Sequence, residues 1–331
     1  MQNVSDIVNI TKKREFKIME PIVKSIHSVN HHHGWDNSLK PQCYVKSNDI
    51  IEVETIDSSG KQLNQKSDKT DLIKLDFDLV NPVTGPIFVE DAFYGDTVEI
   101  EFLEFNCSGW GWTGIIPGFG LLNDQFNEPF LNIWKYDKEN PTSSLFSSFA
   151  EIPLNPFVGT IGVAPKETGL HSVVPPRFFG GNLDIKELYE GTKLFLPVMV
   201  EGALISLGDT HAAQGDGEVC GTAIESPMSV LIKIRLHKGQ QLKSPIIETT
   251  KNAKVSVNKE GSLITTGIGP DLFRSSQEAV MRMIDYLSTN YKLSSNDAYM
   301  LCSVAGNLKI SEIVDVPNWV VSFEIPKGIM L

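Results

Sequence analysis

Cysteine is scarce in this chain of 331 residues. There are four, Cys43, Cys107, Cys220 and Cys302, and no two stand in a Cys-x-x-Cys pair. That excludes a zinc knot of paired thiolates and a disulfide-dense scaffold. Long apolar runs are also missing. None approaches the ~18–20 residues that a membrane-spanning helix needs. Positive charge is in deficit, with 29 Lys and Arg against 41 Asp and Glu and a net charge of -12. Nucleic acid and anionic membrane surfaces are therefore poor partners for this chain. Helical patterns do not alternate with strand patterns, which disfavours a parallel βαβ sheet. No internal repeat stands out. Residues 1–19 are polar and of mixed charge, unlike a secretory leader, so a soluble cytoplasmic protein is the expectation.

Short strand-like runs punctuated by glycine and proline fill residues 20 to 240. They include 42–45, 49–56, 77–80, 87–89, 97–105, 155–164, 194–200, 203–207, 219–224 and 230–236. Such spacing predicts a mainly β protein with a sandwich-like body. Residues 57–72 are polar and read as a loop. Glu201-Gly202 reads as a tight turn joining 194–200 and 203–207 into a hairpin. The last third changes character. Residues 275–291 carry Ala279, Met283 and Leu287 at helical spacing, with Ser275 or Ser276 as the cap. A second helix is expected over 296–305, short strands at 255–257 and 263–266, and a final strand at 318–325. The chain thus divides into a β-rich body over 1–240 that carries the active-site motifs and a C-terminal α+β segment over 241–331 packed on it.

The polar residues gather in three places. The densest is 202–225, where an apolar strand runs into Asp209, His211, Gln214, Asp216 and Glu218 among glycines. Asp209 and His211 stand two apart, so on a continued strand they share a face. A carboxylate and an imidazole converging there suit metal ligation or proton transfer. Asn182 and Asp184 repeat that spacing after two glycines. The third place is His31-His32-His33-Gly34-Trp35-Asp36. Cys220 lies close to these groups and is a nucleophile if ionised, or inert core. Trp110 and Trp112, in a glycine-rich stretch, can wall a pocket.

The run GDTHAAQGDGEVCGTAIE (208–225) resembles the signature of the acetamidase/formamidase family. GGNLDIKEL (180–188), LFLPVMVEGALIS (194–206), HHHGWDNSLKP (31–41) and NPVTGPIFVEDAFYGDTVEIEF (81–102) are similar to that family as well. So is the C-terminal stretch ending in SEIVD. The resemblance covers most of residues 25–325.

It implies hydrolysis of the C–N bond of small linear amides, a β-sandwich-like body, a homodimer and a bound divalent metal, with zinc the first choice. Carried over by position, His32, Asp184, Asp209, His211, Glu218 and Glu225 are the polar positions of its motifs, with Asn182 and Gln214 as neutral partners; the first four are the expected metal-ligand pool, one more than an open catalytic site needs. Glu218 is then the expected general base, Asn182 or backbone N–H groups of the 214–218 turn the oxyanion donor, and Glu225 a group that orients a histidine. Gln214, Trp35 and Trp112 are the expected substrate contacts. Two alternatives stand beside this reading. One is a cysteine amidase built on Cys220, Glu218 or Glu225, and Lys186. The other is a metal-stabilised binding module that uses Trp110 and Trp112 as a stacking platform.

Overall fold

The structure is a computed structural model, and it describes residues 24–146, 150–250, 260–295, 298, 301, 302 and 306–329. The N-terminal arm and the strand expected at 255–257 lie outside the described residues, as does most of the helix expected at 296–305.

Two sheets face each other across one core. The larger has nine strands, in spatial order Lys24–Ile26, Ile50–Glu54, Met228–His237, Thr97–Cys107, Lys193–Pro197, Ile246–Glu248, Ser262–Gly269, Trp319–Pro326 and Asn307–Glu312. The smaller runs Gly180–Asn182, Phe157–Gly162, Ile205–His211, Val83–Val89 and His31–His32. Cys43–Val45 joins the smaller sheet in parallel beside Val83–Val89. Alternate residues point inward from both sheets. Val53, Ile100, Phe102, Ile232 and Leu194 of the larger meet Ile87, Phe157, Ile161, Ile205 and Leu207 of the smaller in a single buried cluster. This is the sandwich-like, mainly β body that the strand spacing predicts.

The expected hairpin at Glu201-Gly202 is not formed. Lys193–Pro197 pairs within the larger sheet, with Thr97–Cys107 and Ile246–Glu248. Ile205–His211 belongs to the smaller sheet, between Phe157–Gly162 and Val83–Val89. The intervening backbone crosses from one sheet to the other through three consecutive left-handed residues, Gly202, Ala203 and Leu204, with φ of 74°, 58° and 56°. A β-carbon at Gly202 would stand 2.2 Å from the Phe88 ring, so only glycine fits there. Apolar pattern alone marks both strands as buried and does not say in which sheet.

Further expectations change: residues 219–224 form turn and irregular chain rather than a strand. Residues 77–79 form a 3-10 turn capped by Asp76 rather than a strand. The polar stretch after residue 56 is anchored. Asp57, Ser58 and Ser59 are buried, and a short helix at Lys69–Leu72 is closed by a capping box on Asp68.

Pairing in the larger sheet continues through residue 240, because Lys193–Pro197 pairs with Ile246–Glu248. The C-terminal segment therefore adds strands to the same sheet and lays one long helix, Leu272–Tyr291, on it. Ala279, Met283 and Leu287 pack on Leu263, Val321, Phe323 and Ile325. The helix begins a turn earlier than its apolar spacing suggests. Asp271, not Ser275 or Ser276, is the cap, its side chain accepting from the Arg274 amide at 2.8 Å. Among the described residues no helix is long and apolar enough to cross a membrane.

Candidate active site

Strand order brings distant stretches side by side. Phe157–Gly162 lies between Gly180–Asn182 and Ile205–His211, with Thr160 opposite both Asn182 and Gly208. The Thr160 hydroxyl sits against Asn182 Oδ1 and is 3.1 Å from Asp209 Oδ2. Asp209 and His211 converge as their spacing predicts, with His211 Nε2 3.1 Å from Asp209 Oδ1. Glu225 reaches the same nitrogen, at 3.2 Å through Oε2. It is itself held by the Ser58 hydroxyl and the Ala223 amide, each at 2.7 Å. Asp184 approaches from the other edge of the ring, its Oδ1 3.8 Å from His211 Nδ1.

Glu218 is carried in by a turn with left-handed backbone at Gly217 and Glu218. Two contacts tie that turn down: Lys186 Nζ donates to Asp216 Oδ2 at 2.6 Å, and the Gly217 amide donates to the Ser311 carbonyl at 2.9 Å. All five ionisable residues, Asp184, Asp209, His211, Glu218 and Glu225, are buried. Gly159 makes their crowding possible. A β-carbon there would stand 2.5 Å from Asp184 Oδ1 and 2.9 Å from His211 Cε1.

Burial of so many acids around one imidazole is electrostatically uneven. Desolvation, reinforced by neighbouring carboxylates, pushes Asp184, Glu218 and Asp315 well above the ordinary carboxylate range. Glu225 is raised by the same burial. Asp209 goes the other way, because the charge and hydrogen bond of His211 outweigh its desolvation. The His211 imidazolium is favoured in turn: burial opposes it, and the charges of Glu225 and Asp209 prevail. Such a cluster needs protons or a cation to be stable.

The donors fit a cation. Two groups have ligand atoms mutually within 4.8 Å: Asp209, His211 and Glu225, and Asp184, His211 and Glu218. Both Asp184 carboxylate oxygens are buried, and among the described residues neither has a hydrogen-bond partner. Orphaned carboxylate oxygens beside an imidazole are what a divalent ion satisfies.

Asp209, Glu218 and Glu225 of the cluster line a cavity of about 90 Å³. Its polar lining includes Asn182, Asp209, Glu218, Glu225 and Asp315, and its apolar lining includes Leu75, Phe77, Trp112, Ile116 and Phe119. One water needs about 10–15 Å³ of such space, so the cavity takes a molecule of a few heavy atoms.

Several expected site residues lie elsewhere. His32 is not in the ligand cluster. It sits on the strand at the opposite edge of the small sheet from Gly180–Asn182, with Nδ1 2.7 Å from the Gly34 carbonyl and Nε2 2.9 Å from Ser206 Oγ. Trp35 is core, edge-on to Phe179 and only 1% exposed, and does not line the cavity. Gln214 is likewise absent from the cavity wall; its amide is spent on His211 and Asp184. Trp112 does line it, its Nε1 donating to Asp57 Oδ1 at 3.0 Å, but it is a buried wall rather than an open stacking platform. The cysteine alternative is not assembled. Cys220 Sγ contacts Thr222, and Lys186 is paired with Asp216.

Sequence reasoning missed the contribution of the C-terminal segment. Asp315 lines the cavity and accepts from Asn182 Nδ2 at 2.5 Å. Glu312 holds the turn that places it, its Oε1 accepting from the Val314 amide and, at 2.6 Å, from the Asp315 amide. The available signal was two acids flanking Ile313-Val314 within the SEIVD stretch.

His32 has a separate, structural consequence. Burial pushes its imidazolium down to about 4 from an ordinary 6.5. Below pH 6.5 the unfolded chain takes up a proton that the folded chain refuses until about pH 4. Stability should therefore fall as pH drops through that window, by at most about 3 kcal/mol from this group. Urea midpoints at pH 7 and pH 4.5 check it: the wild type should lose more than His32→Gln, and equal losses would contradict the assignment.

Comparison with known proteins places this geometry. The chain matches the model of the Acetamidase/Formamidase family over residues 21–173 and 167–330. It is 28% identical to a formamidase of Methylophilus methylotrophus, over 90% of this chain and 89% of that one. Its fold superposes with a TM-score of 0.83 on a predicted acetamidase/formamidase from Thermoanaerobacter tengcongensis, at 32% identity and over 92% of this chain and 96% of that one. An acetamidase from Bacillus halodurans gives the same TM-score at 31% identity, with 92% and 98% of the two chains covered. Sequence motifs, sheet order and the matched span agree, and the chain belongs to the acetamidase/formamidase family.

Proposed function

We propose that this chain hydrolyses the C–N bond of small linear amides, of the formamide and acetamide type, to a carboxylate and ammonia. The observation that carries this reading is the small cavity whose lining joins a buried proton-accepting acid, Glu218, to an amide donor, Asn182, beside a metal-competent cluster.

An amide resists water because its nitrogen donates into the carbonyl and leaves poorly. Water must be deprotonated, the oxyanion bound and the nitrogen protonated. Glu218 is the base. Its carboxyl, raised by burial, takes the proton of the attacking water and returns it to the nitrogen as the C–N bond breaks. A new C–O bond forms, and the products are the carboxylate and ammonia. Asn182 has two amide N–H groups. One is held by Asp315, and the other serves the oxygen of the tetrahedral intermediate. Glu225 Oε2, 3.2 Å from His211 Nε2, stands on the face that the ion would take, as a ligand beside Asp209.

A divalent ion, zinc in this proposal, would be held by His211 with carboxylates drawn from Asp209, Asp184 and Glu225. When bound it lowers the pKa of coordinated water towards ~7 and polarises the carbonyl. The fit rests on the mixed imidazole and carboxylate donor set, with ligand atoms of Asp209, His211 and Glu225 mutually within 4.8 Å.

The test is ammonia release from a panel of primary amides. Formamide and acetamide should be turned over, and larger amides progressively less, because the cavity is about 90 Å³. Each methyl that must be accommodated or rejected is worth only ~1–3 kcal/mol. Absence of release from any small amide would favour a binding module. Iodoacetamide should leave activity intact, and its loss would restore Cys220 to consideration.

A further inference from the structure

We infer that Gln214 is a positioning residue that selects which nitrogen of His211 faces the cation, and so makes Asp209, His211 and Glu225 the ion-binding face and leaves Glu218 free. This rests on the reading above that the cluster holds a divalent ion.

The inference follows from donors and acceptors alone. Gln214 Nε2 lies 2.8 Å from the backbone carbonyl of Asp184. A carbonyl only accepts, so the amide nitrogen must point there and the side chain cannot be flipped. Oε1 is then the atom that meets His211 Nδ1, at 2.8 Å. An amide oxygen also only accepts, so Nδ1 must carry a hydrogen. A protonated ring nitrogen has no lone pair for a metal. The lone pair of the neutral ring is therefore on Nε2, and Nε2 is the nitrogen that faces Asp209 Oδ1 at 3.1 Å and Glu225 Oε2 at 3.2 Å.

Of the two groups able to hold an ion, the one around Nε2 is thus preferred. Asp184 Oδ1, 3.8 Å from Nδ1, faces the blocked edge of the ring. The same glutamine ties the segment carrying Asp184 to the strand end carrying His211, so its loss disturbs the orientation of the ligand without removing it. Partners of this kind typically change metal affinity by about 10–100-fold.

Two measurements test this. The first uses the unaltered protein loaded with cadmium-113 in place of zinc. Coupling from the metal should reach both carbon-bound ring protons of His211, Hδ2 and Hε1, because both lie three bonds from an ion on Nε2. Coupling to Hε1 alone means ligation through Nδ1 and overturns the inference. The second is zinc affinity of Gln214→Met by titration against a competing chelator. The expected result is a 10–100-fold weaker dissociation constant. Wild-type affinity in that variant would overturn the positioning role. A cadmium-bound protein with no coupling to His211 would defeat this inference while leaving a metal site in place. A wild-type protein that takes up neither ion would defeat the metal reading itself.

Discussion

Glu218→Gln is expected to lower kcat on acetamide by about 10²–10⁴-fold, the usual contribution of a positioned acid–base group. Glutamine keeps the shape and a polar end, so the turn held by Lys186–Asp216 and Gly217–Ser311 has no reason to move. What disappears is a group able to take and return a proton. Glu218 is suited to that task because burial, with Asp184 next in weight, raises its carboxyl well above the ordinary carboxylate range. Bound metal should be retained if the ion sits against His211 Nε2. Ammonia release and metal content measured on the same preparation decide the matter. Turnover within a few-fold of wild type would remove Glu218 from the mechanism.

His211→Ala should have the larger structural effect. Among the described residues the imidazole is the cationic group that faces Asp209 and Glu225, and all three are at most 3% exposed. Removing it leaves two buried carboxylates without their counter-charge, a loss on the order of 3–5 kcal/mol. It also removes the one nitrogen ligand that the described residues offer to both candidate ion sites. The variant should therefore lose metal and activity together and unfold at a lower urea concentration. Addition of excess zinc should not restore it. A variant of unchanged stability that still hydrolyses amides would mean that the cluster is not organised around this ring.

Much of the site was legible because its chemistry is concentrated in short runs. Asp209 and His211 lie two apart on a strand, and period-two geometry brings them together. Asn182 and Asp184 carried the same signal more weakly, and strand order in the small sheet completed it. What could not be read was where a strand goes after a turn. The chain at 202–204 crosses between sheets, and no hydrophobic pattern distinguishes that from a hairpin. Nor does composition reveal that Asp57 and Ser58 are buried, since their polarity is satisfied by Trp112 and Glu225, far away in the chain. His32 and Trp35 illustrate the opposite error. They stand in a motif shared with the family, yet their neighbours are Ser206, Gly34 and Phe179, and their contribution here is to packing. Asp315 and Glu312 were hidden because the C-terminal third reads as a helix with flanking strands, not as a wall of the site.

The central claim is that a divalent ion held within this buried acid–imidazole cluster drives amide hydrolysis. The most direct measurement strips the purified protein with a chelator, removes the chelator, and follows ammonia release from acetamide as zinc is returned in known amounts. The account predicts activity that vanishes on stripping and returns in proportion to zinc bound, up to one equivalent per functional site. Full activity in protein shown by elemental analysis to contain no metal would contradict it.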